Sequence, residues 1–166
     1  HCHFQQTVTA TGRLSCTEPN LQNIPIRMEL GRQIRKLFYP KSGYVYVDAD
    51  YSQIELRILA HLSKDEVLQE AFNSGRDVHR DTAAKVYGID YDDVTDMQRR
   101  AAKVVNFGII YGMSSFGLSE DLHITRKEAK EFTETYFATY PKIKAYLDGL
   151  VDIAREKGYV ESLYGR

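Results

Sequence analysis

The sequence is poor in cysteine, in net charge and in long apolar runs. Cys2 and Cys16 are its only cysteines, so no disulfide framework is implied and a reducing cytoplasm suits the chain. No stretch approaches the ~18 apolar residues that a membrane span needs, and no secretion-leader pattern is visible among these residues. No membrane partner is expected. The formal net charge is −1, so a nucleic-acid site has to come from local patches rather than the overall field. There is no GxxxxGK[ST] loop and no GxGxxG turn, which removes the two familiar glycine-rich phosphate cradles. No Ser/His/Asp set can be picked out from scattered residues. Internal repeats, low-complexity tracts and flexible linkers are absent.

What is present is ordinary globular material. The 166 residues are 43% hydrophobic and 27% charged, enough for one domain or two lobes of a larger one. His1-Cys2-His3 invites a zinc reading, but a tetrahedral site needs four well-spaced ligands and Cys16 is the only other thiol. Residues 1–41 hold six Arg/Lys against two acids, Glu18 and Glu29, which makes a local basic patch. Residues 4–14 suggest extended chain. TEPNLQNIPIR (17–27), with two prolines and two asparagines, cannot be a long helix. It reads as a polar loop, suited either to a nucleic-acid backbone or minor groove or to plain solvation as a connector.

GYVYVDAD (43–50) alternates Tyr44, Tyr46, Asp48 and Asp50 against Val45, Val47 and Ala49, which predicts a strand ending on a carboxylate. Residues 52–62 then predict a helix with Ile54, Ile58 and Leu62 on its apolar face. Gln53, Arg57 and His61 form the polar stripe. Glu55 falls inside the apolar sector, where a carboxylate needs a partner, such as a neighbouring Tyr or Arg. Further helices are expected over 64–73 and from an Asp77 cap to Gly88. In the latter, His79 heads a face of Ala83, Val86 and Tyr87, ordinarily a packed core position. Thr95 with Gln98 and Thr125 with Glu128 are capping boxes. Pro141 suits a first helical turn, ahead of a stripe of Ile143, Tyr146, Leu147, Leu150 and Ala154 that ends at Gly158. YVESLY (159–164) reads as the first arm of a hairpin turning at Gly165-Arg166. The chain begins at His1 rather than Met and reads as a fragment.

Residues 97–112, MQRRAAKVVNFGIIYG, carry the chemistry. Wound as a helix, Arg99, Lys103, Phe107 and Tyr111 recur every four positions on one face, with Arg100 and Asn106 at its margins. The opposite side, with Ala101, Ala102, Val104, Val105, Gly108 and Ile109, is apolar and small. Two cations followed by two rings suit phosphates followed by a sugar and base. A strand ending in Asp50, taken with this helix, suggests metal-assisted chemistry on a triphosphate. Two-metal phosphoryl transfer normally takes at least two carboxylates. Asp48 is one pleat away, about 7 Å along a strand, and is a weak second.

The blocks TGRLS (11–15), PNLQNIP (19–25), DYSQIELR (50–57), DVHR (77–80) and RxxxKxxxFGxxYG (99–112) resemble bacterial A-family, polymerase-I-like DNA polymerases, in the family's order over nearly the whole chain. The resemblance implies an α+β, predominantly helical fold. It would comprise a partial palm of antiparallel strands plus a helix (1–63), helical fingers (64–157) and a return toward the palm (158–166). It implies template-directed addition of dNTPs to a primer 3′ end, in a bacterial cytoplasm. Primer–template DNA, dNTPs and two Mg²⁺ ions would be bound in the intact enzyme. The missing palm, thumb and exonuclease regions of the parent would be the other partners.

Residue by residue, Asp50 and the backbone carbonyl of Tyr51 match metal ligands. Glu55 matches the residue that closes off the sugar 2′ position, with Gln53 beside the same pocket. Arg99 and Lys103 match triphosphate ligands, Lys103 also being a proton donor to pyrophosphate. Phe107 matches the ring against the incoming sugar and base, in the form that discriminates against dideoxynucleotides. Tyr111 matches the ring at the template–primer end. His79 matches a residue near the β-phosphate, which displaces the core-histidine expectation. Arg13, Asn20 and Gln22 match primer–template contacts. The family's second metal carboxylate belongs to a later motif, so the isolated chain is expected not to polymerise. Two alternatives remain: a piece of a single-subunit RNA polymerase, and a non-catalytic nucleic-acid-binding module.

Overall fold

The computed structural model describes residues 1–26 and 28–166. Arg27, the cation of the proline–asparagine loop, lies outside the described residues. Contacts divide the chain into two units, His1–Asp50 and Tyr51–Arg166.

In the first unit β1 (His3–Gln5) pairs antiparallel with β2 (Ser15–Thr17), Phe4 opposite Cys16. The loop that follows is folded on itself. The Asn20 side chain accepts from the Gln22 N–H and caps a single 3₁₀ turn, Leu21–Asn23. The Gln22 amide donates to the Leu14 carbonyl at 3.2 Å. The short helix α1 (Glu29–Arg35) then packs so tightly on the loop that a Cβ at Gly31 would fall 2.1 Å from the Pro25 carbonyl oxygen. Only glycine fits there.

The expected strand over 43–50 does not form, and the segment is irregular and exposed, with Val45 at 81% and Val47 at 88%. Alternation supplies a two-faced ribbon, but a strand exists only through hydrogen bonds to a neighbour. None of the described residues pairs with this segment; β1–β2 is the one sheet among them. Among the described residues of this unit only Cys16 and Gly31 are buried. Much apolar side chain is therefore left on its surface.

The second unit is helical: α2 (Ile54–Ser63), α3 (Glu66–Asn73), α4 (Val78–Tyr87), α5 (Asp96–Ile110), α6 (Ser115–Leu122), α7 (Arg126–Thr139) and α8 (Pro141–Lys157). The predominantly helical α+β class holds. Side chains set the helix starts. Asp65, Asp77 and Ser114 cap α3, α4 and α6, and both expected capping boxes, at Thr95 and Thr125, are formed. Gly88 and Gly158 end α4 and α8 in the left-handed conformation. Helix α6 carries no strong periodicity, and its Ser and Gly residues hide it from a pattern search.

One core joins the helices: Leu56 and Leu59 of α2, Leu68 of α3, Val105 and Ile109 of α5, Leu118 of α6, Tyr136 of α7 and Ile143 of α8. The buried face of α2 is Leu56, Leu59, Ala60 and Ser63, not the expected Ile54–Ile58–Leu62 stripe; Ile54 is 40% and Ile58 38% exposed. The apolar sector of the helix is wide, broken only by the Arg57–His61 stripe and Glu55, and within it the stripe that tapers to Ala and Ser allows α3, α5 and α8 to approach. Past Gly158, a turn bonds the Gly165 N–H to the Ser162 carbonyl at 2.9 Å. The expected hairpin arm over 159–164 is not a strand, for the same want of a paired neighbour.

Asp65 is 1% exposed. One oxygen accepts from the Leu68 N–H at 3.1 Å and the other from the Lys142 N–H at 3.3 Å. Both donors belong to first turns, so one carboxylate faces the positive ends of α3 and α8. Asp65→Ala is expected to cost more than the ~1 kcal/mol typical of losing a single cap, because the part-buried Lys142 N–H of α8 loses its acceptor as well. Thr125→Ala should cost only the single-cap value. Urea midpoints of the two variants check this ordering.

Candidate functional site

Helix α5 places the basic–aromatic face. Its capping box fixes the first turn, and Ala102, Val105, Gly108 and Ile109 are buried behind it. Gly108 lies against the Met113 thioether, where an added Cβ would come within 3.1 Å of sulfur. Small residues on the back thus set the depth at which α5 docks. On the front, Arg99 and Phe107 are half-buried, Lys103 is exposed and Tyr111 is 62% exposed at the C-cap.

Arg99 is held by Asp77, the cap of α4. Its Nε and Nη2 donate to Asp77 Oδ2 at 3.0 and 2.6 Å, while Asp77 Oδ1 accepts the His79 and Arg80 N–H groups at 3.0 Å each. One carboxylate therefore starts α4 and aims a guanidinium on α5. Burial pushes the Asp77 carboxyl up, but the Arg99 guanidinium and the two helix N–H groups outweigh it and hold it below the usual range. Lys103 has no ion pair among the described residues, which leaves its charge available to an anion.

His79 is 1% exposed. Its ring lies 5.8 Å from that of Phe107, centre to centre. Its Nδ1 is 3.1 Å from Asn106 Nδ2, which also donates to Thr82 Oγ1 at 3.2 Å; Thr82 Oγ1 in turn meets the Tyr140 hydroxyl at 3.0 Å. His79 Nε2 and Asn106 Oδ1 are buried without a partner among the described residues. Burial pushes the imidazole down to about 4, Asp77 opposing and Arg99 and Lys103 adding to the shift. His79 is thus neutral at pH 7.

The Tyr111 hydroxyl donates to Glu55 Oε2 at 2.7 Å, tying the end of α5 to the start of α2. A tyrosine is one of the two partner types expected for Glu55, although the apolar sector in which the sequence sets it is not the buried face of α2. Gln53 precedes α2 in the left-handed conformation (φ 54°), a strained place for a residue other than Gly, Asn or Asp. It lines a cavity of about 190 Å³ with Ser52, Arg57, Arg76 and Asp77, and its buried Oε1 has no partner among the described residues.

Asp50 ends the first unit and Tyr51 begins the second, both exposed. Among the described residues no three His, Cys, Asp or Glu side chains gather as a metal cluster. One carboxylate and one backbone carbonyl do not make up the donor set of a two-metal site. Arg13, Asn20 and Gln22 belong to the first unit. Arg13 is exposed, while Asn20 and Gln22 spend polar groups on the loop's own bonds.

The face depends on residues that pattern reading passed over. Asp77 is legible as a cap, but nothing in the sequence links it to Arg99, twenty-two positions on. Asn106, expected at the margin of the basic–aromatic face, is instead 0% exposed, on the side of α5 turned to α4, where a polar side chain requires partners.

A family model described as DNA polymerase family A matches residues 1–166. The DNA polymerase I of Caldicellulosiruptor bescii is 56% identical over 166 residues, covering 100% of this chain and 20% of that protein. That of Deinococcus radiodurans is 58% identical over 166 residues, 100% of this chain and 17% of its own. That of Geobacillus stearothermophilus is 54% identical over 167 residues, again all of this chain and 19% of its own. Among solved structures, the POL domain of Pol1 from M. smegmatis, in complex with DNA primer-template and dNTP, superposes with a TM-score of 0.90 at 48% identity, over 100% of this chain and 30% of that one. The chain spans about a fifth of the length of the curated relatives it matches.

The buried neutral imidazole has a consequence for stability. The folded His79 pKa of about 4 lies below the ordinary 6.5, so between these values the unfolded chain binds the extra proton. Its contribution is complete above pH 6.5 and is lost as the pH falls toward 4. Urea midpoints measured across that window should fall with pH in the wild type and more shallowly in His79→Gln.

Proposed function

The chain belongs to DNA polymerase family A, and from that premise we propose that it supplies the nucleotide-gripping face and one metal-binding carboxylate of a template-directed DNA polymerase adding dNTPs to a primer 3′ end. One observation carries the reading. The front of α5 sets a held cation, a free cation and a ring in sequence on one face, in the order of a triphosphate, sugar and base. Arg99 and Lys103 neutralise the phosphates. Lys103, exposed and without an ion pair among the described residues, also delivers a proton to departing pyrophosphate. Phe107 meets the sugar and base, and Tyr111 the template–primer end.

Glu55, held from Tyr111, closes the space beside the sugar 2′ carbon, so that a ribose hydroxyl meets a carboxylate already in use. Gln53, left with an unpartnered amide oxygen, completes the wall of that pocket, and His79 serves the β-phosphate. In the first unit, Arg13, Asn20 and Gln22 meet the primer–template backbone and minor groove, with Asn20 and Gln22 set in place by the loop's own hydrogen bonds. The complex of the M. smegmatis relative with primer-template and dNTP supports these partners.

Asp50 with the Tyr51 carbonyl would hold one side of a Mg²⁺ site, and the other carboxylate would come from outside these residues. The exposed apolar surface of residues 1–50 and the unpaired 43–50 ribbon fit the same reading, as faces that a larger palm would cover. We assign residues 1–63 to that palm, 64–157 to the fingers and 158–166 to the return. Membership in a DNA polymerase family favours this function over an RNA polymerase piece. The non-catalytic reading differs from it only in turnover.

The test places residues 1–166 in the matching segment of the Geobacillus stearothermophilus polymerase. Primer extension by this graft is expected, with Asp50→Ala lowering it by at least about 10²-fold while primer–template affinity stays within about twofold. Equal loss of binding and extension would contradict the metal role. Glu55→Ala should raise ribonucleotide incorporation relative to deoxynucleotide. The 166-residue chain alone is expected to extend no primer in Mg²⁺.

A further inference from the structure

The buried contact between α4 and α5 sets more than helix spacing. We infer that Asn106 is a positioning residue that fixes His79 as the neutral tautomer with its proton on Nε2, a donor kept without an acceptor until it takes a phosphate oxygen of the incoming dNTP. The tautomer follows from this chain's own groups; its use rests on the dNTP reading above.

The assignment comes from counting donors and acceptors. The Asn106 amide meets two groups through one of its ends, the His79 Nδ1 and the Thr82 hydroxyl. With nitrogen at that end, its two hydrogens satisfy both, and the cluster is left with one carbonyl oxygen and one ring N–H unmet. With oxygen there instead, Nδ1 must carry the proton and an NH₂ with two donors is left buried and unmet. Unpaired buried N–H groups are rarer and costlier than under-satisfied acceptors, and one unmet donor costs less than two, so nitrogen faces the imidazole. Nδ1 then accepts, and the single proton of the neutral ring sits on Nε2. The Thr82–Tyr140 hydroxyl pair anchors the amide from α4 and from the junction of α7 and α8. Asn106 is 0% exposed, so water does not compete for its amide.

Nε2 is sealed from solvent beside Phe107. It is a buried donor with an unmet bond, on the helix pair that carries Arg99 and Lys103. The charged groups facing His79 are Asp77 from the α4 cap and Arg99 and Lys103 from α5. Two of the three are cations, which disfavours a second ring proton and favours a ligand bearing negative oxygen. Reaching Nε2 takes a shift of the side chains that cover it, as expected where a ligand completes a site.

Long-range ¹H–¹⁵N spectra of the histidine-labelled 166-residue chain test the tautomer without relying on any variant folding. His79 is assigned by its loss in His79→Gln. At pH 7 the wild type should give a pyrrole-type Nε2 and a pyridine-type Nδ1. A proton on Nδ1, or a doubly protonated ring, would overturn the assignment and leave the dNTP reading standing. Asn106→Asp presents an acceptor to Nδ1. It should move the proton there or charge the ring near neutral pH, and an unchanged Nε2–H tautomer would deny Asn106 its role. In the Geobacillus graft, Asn106→Asp should raise the dNTP KM about 10-fold, with little further rise when His79→Gln is added. An unchanged KM in a graft that Asp50→Ala still disables would remove the phosphate acceptor from the proposal without touching the polymerase reading.

Discussion

The face of α5 depends on how α4 is fastened to it. Two polar contacts do this, one at the rim and one in the core. At the rim, Asp77 divides its oxygens between the first N–H groups of α4 and the Arg99 guanidinium. In the core, Asn106 reaches both His79 and Thr82 across the interface. Apolar packing alone would let two helices slide or rotate with little change in buried area, since that force has no direction. A guanidinium on one oxygen and an amide on two acceptors permit only one register. The cations and rings on the front of α5 are then presented in a fixed order.

This arrangement also explains why so polar a seam is tolerated inside a helical core. Buried polar groups cost stability unless bonded. Most are bonded here, and the exceptions among the described residues are His79 Nε2, Asn106 Oδ1, Gln53 Oε1 and the Tyr136 hydroxyl. The first three belong to the proposed nucleotide site or its support, and the fourth lies in the helical core. A carbonyl left short of one bond costs little, whereas an unmet N–H is expensive enough to be worth keeping only where a ligand supplies the acceptor. The left-handed backbone at Gln53 belongs with these features, as local strain carried beside the cavity that it lines.

Helix starts were legible because capping is local. Thr95–Gln98, Thr125–Glu128, Asp77 and Pro141 each announce a terminus within four residues, and each stands where the pattern put it. The 43–50 ribbon was not, because alternation describes one strand and a sheet needs two. The buried face of α2 is illegible for a related reason: its apolar sector is wide, and the neighbours choose which part of it is covered. In the candidate site, Arg99, Lys103, Phe107 and Tyr111 are legible from a four-residue repeat, and from the sequence Glu55 needs a partner, either a tyrosine or an arginine. The links from Asp77 to Arg99 and from Asn106 to His79 and Thr82 span 22 to 27 positions. They arise only once the helices are packed.

That the α4–α5 seam positions the phosphate-binding face is the central claim, and a double-mutant cycle on Asp77 and Arg99 tests it most directly. The dNTP KM of the Geobacillus graft would be measured for Asp77→Asn, which keeps the α4 cap, for Arg99→Gln, and for both together. If Asp77 acts through Arg99, each single change raises KM and the second adds almost nothing to the first, a coupling of at least about 1 kcal/mol. Additive losses would mean that Asp77 serves the fold alone and that Arg99 finds the phosphates unaided.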